Sequence, residues 1–153
     1  MRSAKASTSP ITASAAGNST DVNRSRYEQY LAAFNGKDYE TLGRFYADDV
    51  EFILSRERGL VYHGREAILD LYRPFHRAVD EHVEIVRFAN GGDFLAVEVD
   101  AEFRPIAGQS QGVIDLPQGK VLKVTTFAFY DLGPDDRFTR IRAASYSRHY
   151  EDA

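Results

Sequence analysis

Near residue 80 the spacing of apolar residues changes period, and that change limits the folds open to this chain. Before it, rings and aliphatic side chains recur every third or fourth residue. Tyr27, Tyr30, Leu31 and Phe34 fall at i, i+3, i+4 and i+7, the stripe of an amphipathic helix. Asn35-Gly36 stops that helix. Asp38 is placed to cap a second, with Tyr39, Leu42 and Phe45 on its apolar face. Gly64 precedes a third, with Ile68, Leu71, Tyr72, Phe75 and Val79 on one side. Pro74 is expected to kink or split it. Between the second and third helices, residues 50–54 read as a strand and residues 61–64 as a short extended segment. The neighbouring Asp48 and Asp49 cannot face one another in a helix or a strand, so they are expected as turn and capping groups.

Beyond residue 80 the period is two. Residues 82–88 form one strand. In residues 94–103, Leu95, Val97, Val99, Ala101 and Phe103 share one face and Glu98, Asp100 and Glu102 the other. Residues 120–132 and 137–150 supply two more strands. Helices first and antiparallel strands after is an α+β arrangement, in which a curved sheet covers a helical layer.

The first twenty residues are rich in Ser, Thr and Ala and nearly without large apolar side chains. Such a segment cannot bury enough surface to offset its ordering entropy. Residues 1–22 are therefore expected as a disordered tail and residues 23–153 as one domain. A net charge of −4 disfavours a nucleic-acid groove. The absence of cysteine removes disulfides, thiolate catalysis and zinc-thiolate sites. No apolar run approaches the roughly 18 residues of a membrane span, and a cytoplasmic location is expected. No histidine-carboxylate grouping has metal-ligand spacing and no glycine-rich phosphate loop follows a strand, so neither metal nor cofactor is expected.

Three stretches taken in order, "YLAAFNGKDYETLGRFYADDVEF", "YHGREAI" and "FAFYDLGPDDRFTRIRA", resemble the nuclear transport factor 2-like superfamily, and within it the SnoaL-like branch. The resemblance covers about residues 24–150. It implies a cone-shaped α+β barrel, three N-terminal helices packed on a curved, mostly antiparallel sheet, with an apolar pocket between the layers. Family members include polyketide cyclases, ketosteroid isomerase, scytalone dehydratase, limonene epoxide hydrolase and binders without activity. Fold alone does not choose among them.

Ketosteroid isomerase implies a helix-1 tyrosine as oxyanion donor, and Tyr30 matches it. The base of that enzyme falls on Leu54 and its second aspartate on Thr125, so two of three groups are missing. Scytalone dehydratase implies histidines in the pocket. His82 resembles one, the second falls near Glu98, and its tyrosine and aspartate fall on Phe34 and Asn35. Glu98, Asp100 and Glu102 are expected to face outward, since the concave side must bury apolar groups. An inward Glu98 would be a usable base, because desolvation raises a carboxyl pKa. The catalytic candidates are thus Tyr30, His82 and Glu98. Substrate contacts are expected from Phe34, Leu54, His63, Tyr72, Phe75, Thr125, Phe127, Ala143 and Ser145. His76 is left to face either way. His149 shares the parity of Ile141, Ala143, Ser145 and Ser147, the family's pocket face.

Together these expectations describe a protein binding a small, largely apolar organic molecule and carrying out cofactor-free cyclisation, isomerisation or dehydration. A non-catalytic binding module and a dimerisation domain stand as alternatives. A homodimer through the outer sheet face follows from the resemblance, with Arg140, Arg142 and Arg148 placed to meet Glu98, Asp100 and Glu102.

Overall fold

A computed structural model describes residues 21–108 and 114–153. Most of the expected tail lies outside the described residues. Asp21 and Val22, assigned to that tail from sequence, instead open the first helix. α1 (Val22–Asn35) begins where the Asp21 carboxylate accepts from the backbone N–H groups of Asn23 and Arg24. α2 (Tyr39–Gly43) is capped by Asp38, as expected. β1 (Tyr46–Ser55) and β2 (Leu60–His63) form an antiparallel hairpin. Asp48 and Asp49 sit within β1, not in a turn, and the Asp48 carboxylate pairs with Arg65. α3 (Arg65–Ala78) starts after Gly64, whose φ of 89° lies in the left-handed region that favours glycine. The helix runs through Pro74 without being split. Val79 begins the next strand and is not part of the helical stripe.

Four long strands follow: β3 (Val79–Asn90), β4 (Phe94–Pro105), β5 (Lys120–Leu132) and β6 (Phe138–Asp152). The sheet order is β2-β1-β6-β5-β4-β3. β1 and β6 run parallel, while the other neighbours are antiparallel. This six-stranded mixed sheet has β2 and β3 at its edges, so it is not closed by hydrogen bonds into a barrel. It curls nonetheless. Leu60 and Tyr62 from one edge and Glu81 and Val83 from the other line one cavity.

The inner face of β4 buries Leu95, Val97, Val99 and Ala101, as its alternation predicts. α1 docks against β3 through Asn35, whose side-chain amide donates to the Val83 carbonyl and accepts from the Val83 N–H at 2.8 and 2.9 Å. An edge strand thereby gains a partner for one residue's backbone groups.

β6 departs from simple alternation. Thr126 lies opposite Ser145, but Thr125 lies opposite Ser147. Tyr146 is the extra residue of a β-bulge, and each side chain beyond it is turned to the other face. The parity expected for His149 and Arg148 is therefore reversed.

Candidate functional site

Between the helices and the inner sheet face lies a cavity of about 270 Å³. Its walls are mostly apolar, with rings from several elements: Tyr30 and Phe34 from α1, Phe52 from β1, Tyr72 and Phe75 from α3, and Tyr130 from β5. The sequence places an aromatic at each of these helix positions with the period of the core-facing stripe. They meet because α1 and α3 cover the same face of the sheet.

The phenols of Tyr30, Tyr62, Tyr72 and Tyr130 belong to the lining, and Tyr27 and Tyr46 are hydrogen-bonded to two of them. Tyr27 donates to the Tyr130 hydroxyl at 3.1 Å, and the Tyr30 and Tyr46 hydroxyls share a hydrogen bond of 3.0 Å. Burial pushes the Tyr27, Tyr30, Tyr46 and Tyr72 hydroxyls well above their ordinary pKa of 10.0, and neighbouring phenols add to the effect. These groups stay protonated and can act as hydrogen-bond donors throughout the neutral range.

One carboxylate reaches the cavity wall. Glu81, at the start of β3, lines the cavity and is 8% exposed. Its Oε2 lies 2.8 Å from Nε2 of His76, near the end of α3. Nδ1 of that imidazole lies 2.8 Å from the Tyr39 hydroxyl. The ring is stacked on Tyr72 and edged by Phe34, with centroids 5.2 Å away in both cases. With Glu81 ionised, Nε2–H donates to the carboxylate whether the imidazole is neutral, with Tyr39 donating to Nδ1, or protonated, with Tyr39 accepting. Glu81 Oε1 has no hydrogen-bond partner among the described residues. The arrangement is a buried carboxylate–imidazole pair in which only one carboxylate oxygen is hydrogen-bonded among the described residues.

The residues expected from sequence divide into two groups. Tyr30, Phe34, Leu54, Tyr72, Phe75, Ala143 and Ser145 line the cavity. His82, Glu98, Thr125, Phe127 and His63 do not. His82 is exposed on the outer face beside Glu84. It shares a second depression, of about 320 Å³, with Thr125 and His149. Glu98 lies on the same outer side, between the buried Val97 and Val99. Thr125 donates to the Asp100 carboxylate there, and its neighbour Thr126 lines the cavity instead. Phe127 is 42% exposed and stacks on Tyr146. His63 is exposed near Glu51.

Glu98 faces outward, as the alternation of β4 led us to expect; for His82, Thr125 and Phe127 the reason is strand parity. Val79, Glu81 and Val83 are buried and alternate with exposed Asp80, His82 and Glu84, so Glu81 was legible as the inward group of "DEHVEI". On β5 large apolar residues occur on both faces, which hid the parity of Thr125 and Phe127. The acids of the outer face find local partners: Glu102 pairs with Lys123 and Arg104. Arg140 pairs with Asp131 and Arg142 lies over the Phe129 ring. The expected pairing of Glu98, Asp100 and Glu102 with the β6 arginines is one between protomers, and Arg148 is turned away from that outer face into the inner cavity. Among the described residues no cluster of three or more His, Asp or Glu could hold a metal ion.

An α+β fold whose helices and curled sheet enclose a ring-lined cavity is that of the nuclear transport factor 2-like proteins. A model of the SnoaL-like domain matches residues 27–141, and the chain belongs to that family. Solved structures agree on the fold. A proposed polyketide cyclase from Xanthomonas campestris pv. campestris is 24% identical with a TM-score of 0.65, over 79% of this chain and 87% of that one. A proposed ketosteroid isomerase from Kribbella flavida DSM 17836 is 18% identical with a TM-score of 0.62, over 86% and 82%. A computationally designed 17-OHP binder is 15% identical with a TM-score of 0.65, over 82% and 95%. At such identities the likeness establishes architecture and no more. No curated protein matches the sequence. No helix among the described residues is long and apolar enough to cross a membrane.

Proposed function

We propose that this protein binds a small, largely apolar organic molecule in the inner cavity and moves a proton on it without a cofactor. The reaction class is isomerisation, cyclisation or dehydration at a carbonyl-bearing compound. The observation that carries this reading is a ring-walled cavity holding one buried carboxylate, Glu81, backed by His76. Glu81 takes the part first given to His82 and Glu98: its free oxygen accepts a proton next to the carbonyl. Tyr30 or Tyr72, held protonated by burial, donates to the oxyanion that forms. Phe34, Phe75 and Ala143 contact the apolar body, and Ser145 and Thr126 meet its polar groups. Proteins described as a polyketide cyclase and a ketosteroid isomerase share this architecture, which is therefore compatible with such chemistry. A computationally designed 17-OHP binder shares it too, so the architecture is equally compatible with the rival reading, a non-catalytic ligand carrier.

The test needs no knowledge of the natural substrate. 2-Acetylnaphthalene in heavy water exchanges its methyl protons when a base removes one. Wild-type protein should speed that exchange above buffer, and Glu81→Gln should remove the gain. Binding without exchange establishes the carrier instead. The expected homodimer would use the outer sheet face, where Phe127, Phe129 and Tyr146 are exposed. Sedimentation of a monomer at micromolar concentration would overturn it.

A further inference from the structure

The bulge at Tyr146 has a chemical result. Up to Ser145 the inward residues of β6 are Ile141, Ala143 and Ser145. Strict alternation would send Arg148 outward. After the slip it stands opposite Val124 and lines the inner cavity. Bulges commonly re-aim a side chain beside a binding site. A second arginine, Arg58 in the β1–β2 turn, lines the same cavity. Leu54, Arg58, Ser145 and Arg148 are the exposed members of the lining, so they mark its open side.

Both guanidinium groups lack an acidic partner. Arg24, Arg44, Arg56, Arg65, Arg73, Arg104, Arg137 and Arg140 each form an ion pair. Among the described residues Arg26, Arg58, Arg77, Arg87, Arg142 and Arg148 form none, and of these only Arg58 and Arg148 line the cavity; the remaining residues of the chain contain no Asp or Glu. Glu81 is the one acid among the cavity's lining residues, and His76 already holds it. An apolar cavity with two unpaired, planar, multi-donor cations at its opening is matched to an oxyanion attached to an apolar body.

We propose that the ligand is an amphipathic organic acid, its rings inside the cavity and its carboxylate held at the opening by Arg148 and Arg58. This rests on the reading of the inner cavity as a ligand site, and it narrows the ligand class from neutral apolar molecules to ring-bearing carboxylic acids. The carboxylate serves to anchor, so the reacting carbon is a different one, deeper toward Glu81.

Isothermal titration with 2-naphthoate and with 2-acetylnaphthalene, its neutral near-isostere, tests the proposal. Wild-type protein should bind naphthoate about tenfold or more tightly than the ketone, the gain expected of a charge-assisted pair. Arg148→Gln should remove that preference while leaving ketone affinity in place, and Arg148→Lys should restore part of it. Arg58→Gln should act in the same direction. Equal wild-type affinities for the two probes overturn the carboxylate proposal and leave the cavity reading standing. Arg148→Gln weakening both probes alike also overturns it. Failure of both probes to bind removes the ligand-site reading itself, and this inference with it.

Discussion

Nε2 of His76 lies 2.8 Å from Oε2 of Glu81, joining the last turn of α3 to the first residues of β3 where the chain changes from helix to strand. Both side chains are buried. Removing one member of such a pair strands the other in a low-dielectric setting. His76→Ala should therefore cost about 3–5 kcal/mol of folding stability. Glu81→Gln should cost less, since an amide oxygen still accepts from Nε2–H. Urea unfolding of the two variants measures the difference. Equal, negligible losses would show that the pair is not coupled to folding.

The phenol cluster sets an alkaline limit on the fold. Tyr27, Tyr30, Tyr46 and Tyr72 have folded pKa values raised well above 10.0, and Tyr130 is raised as well, chiefly by burial. The unfolded chain loses these protons near the ordinary value while the folded chain keeps them. The stabilisation is therefore full below pH 10 and is lost as pH rises through the folded values. In a pH titration, buried phenols should ionise together with the loss of circular dichroism, in one step. Smooth phenolate formation with the secondary structure intact would contradict this.

Tyr30 and Tyr46 also test the cluster one bond at a time. Tyr30→Phe leaves the buried Tyr46 hydroxyl without its 3.0 Å partner. The expected loss is about 1–3 kcal/mol, the cost of an unsatisfied buried polar group. Tyr46→Phe should cost a similar amount, and the double variant less than the sum. A double-mutant cycle of unfolding free energies reads this directly.

Filling the cavity separates binding from folding. Ala143 lines the cavity on β6 and is half-buried. Ala143→Phe places a ring where a ligand's apolar body would lie. It should abolish binding of 2-acetylnaphthalene with little change in melting temperature. A large fall in melting temperature would mean that the space is too small to accept a ring.

Much of this fold was legible because local signals agreed with one another. α1 shows its stripe at Tyr27, Tyr30, Leu31 and Phe34, and α2 has Asp38 as a cap. β4 alternates without exception from Leu95 to Ala101. The site was less legible where chemistry competed with parity. His82 is the more familiar proton carrier, yet it lies next to Glu81, and the alternation of Val79 and Val83 places the glutamate inward. His76 was ambiguous because its helical neighbours, Phe75 and Arg77, give no sharp polar boundary. Pro74 did not break α3 because tertiary packing of Ile68, Leu69 and His76 holds the helix on both sides of it. The bulge at Tyr146 carries neither Gly nor Pro, so nothing in "ASYSRHY" announces that Arg148 turns in.

That bulge makes a last prediction. Deleting Tyr146 removes the extra residue and lets Ser147 pair in simple sequence after Ser145. On both sides of the deletion the inward and outward faces stay as they are, so Arg148 still reaches the cavity. The strand loses mainly the stacking of Tyr146 on Phe127, whose ring centroids are 4.8 Å apart. The expected cost is about 0.5–1.5 kcal/mol, the worth of an aromatic pair, and preference for naphthoate over the ketone should survive. Deleting Ala144 instead leaves Tyr146 to be placed by a strand one residue short. Either Tyr146 or a displaced bulge must then enter the cavity side, and ligand binding should fall sharply. Urea unfolding and titration of the two deletions against each other decide whether Tyr146 is the residue that turns β6 over.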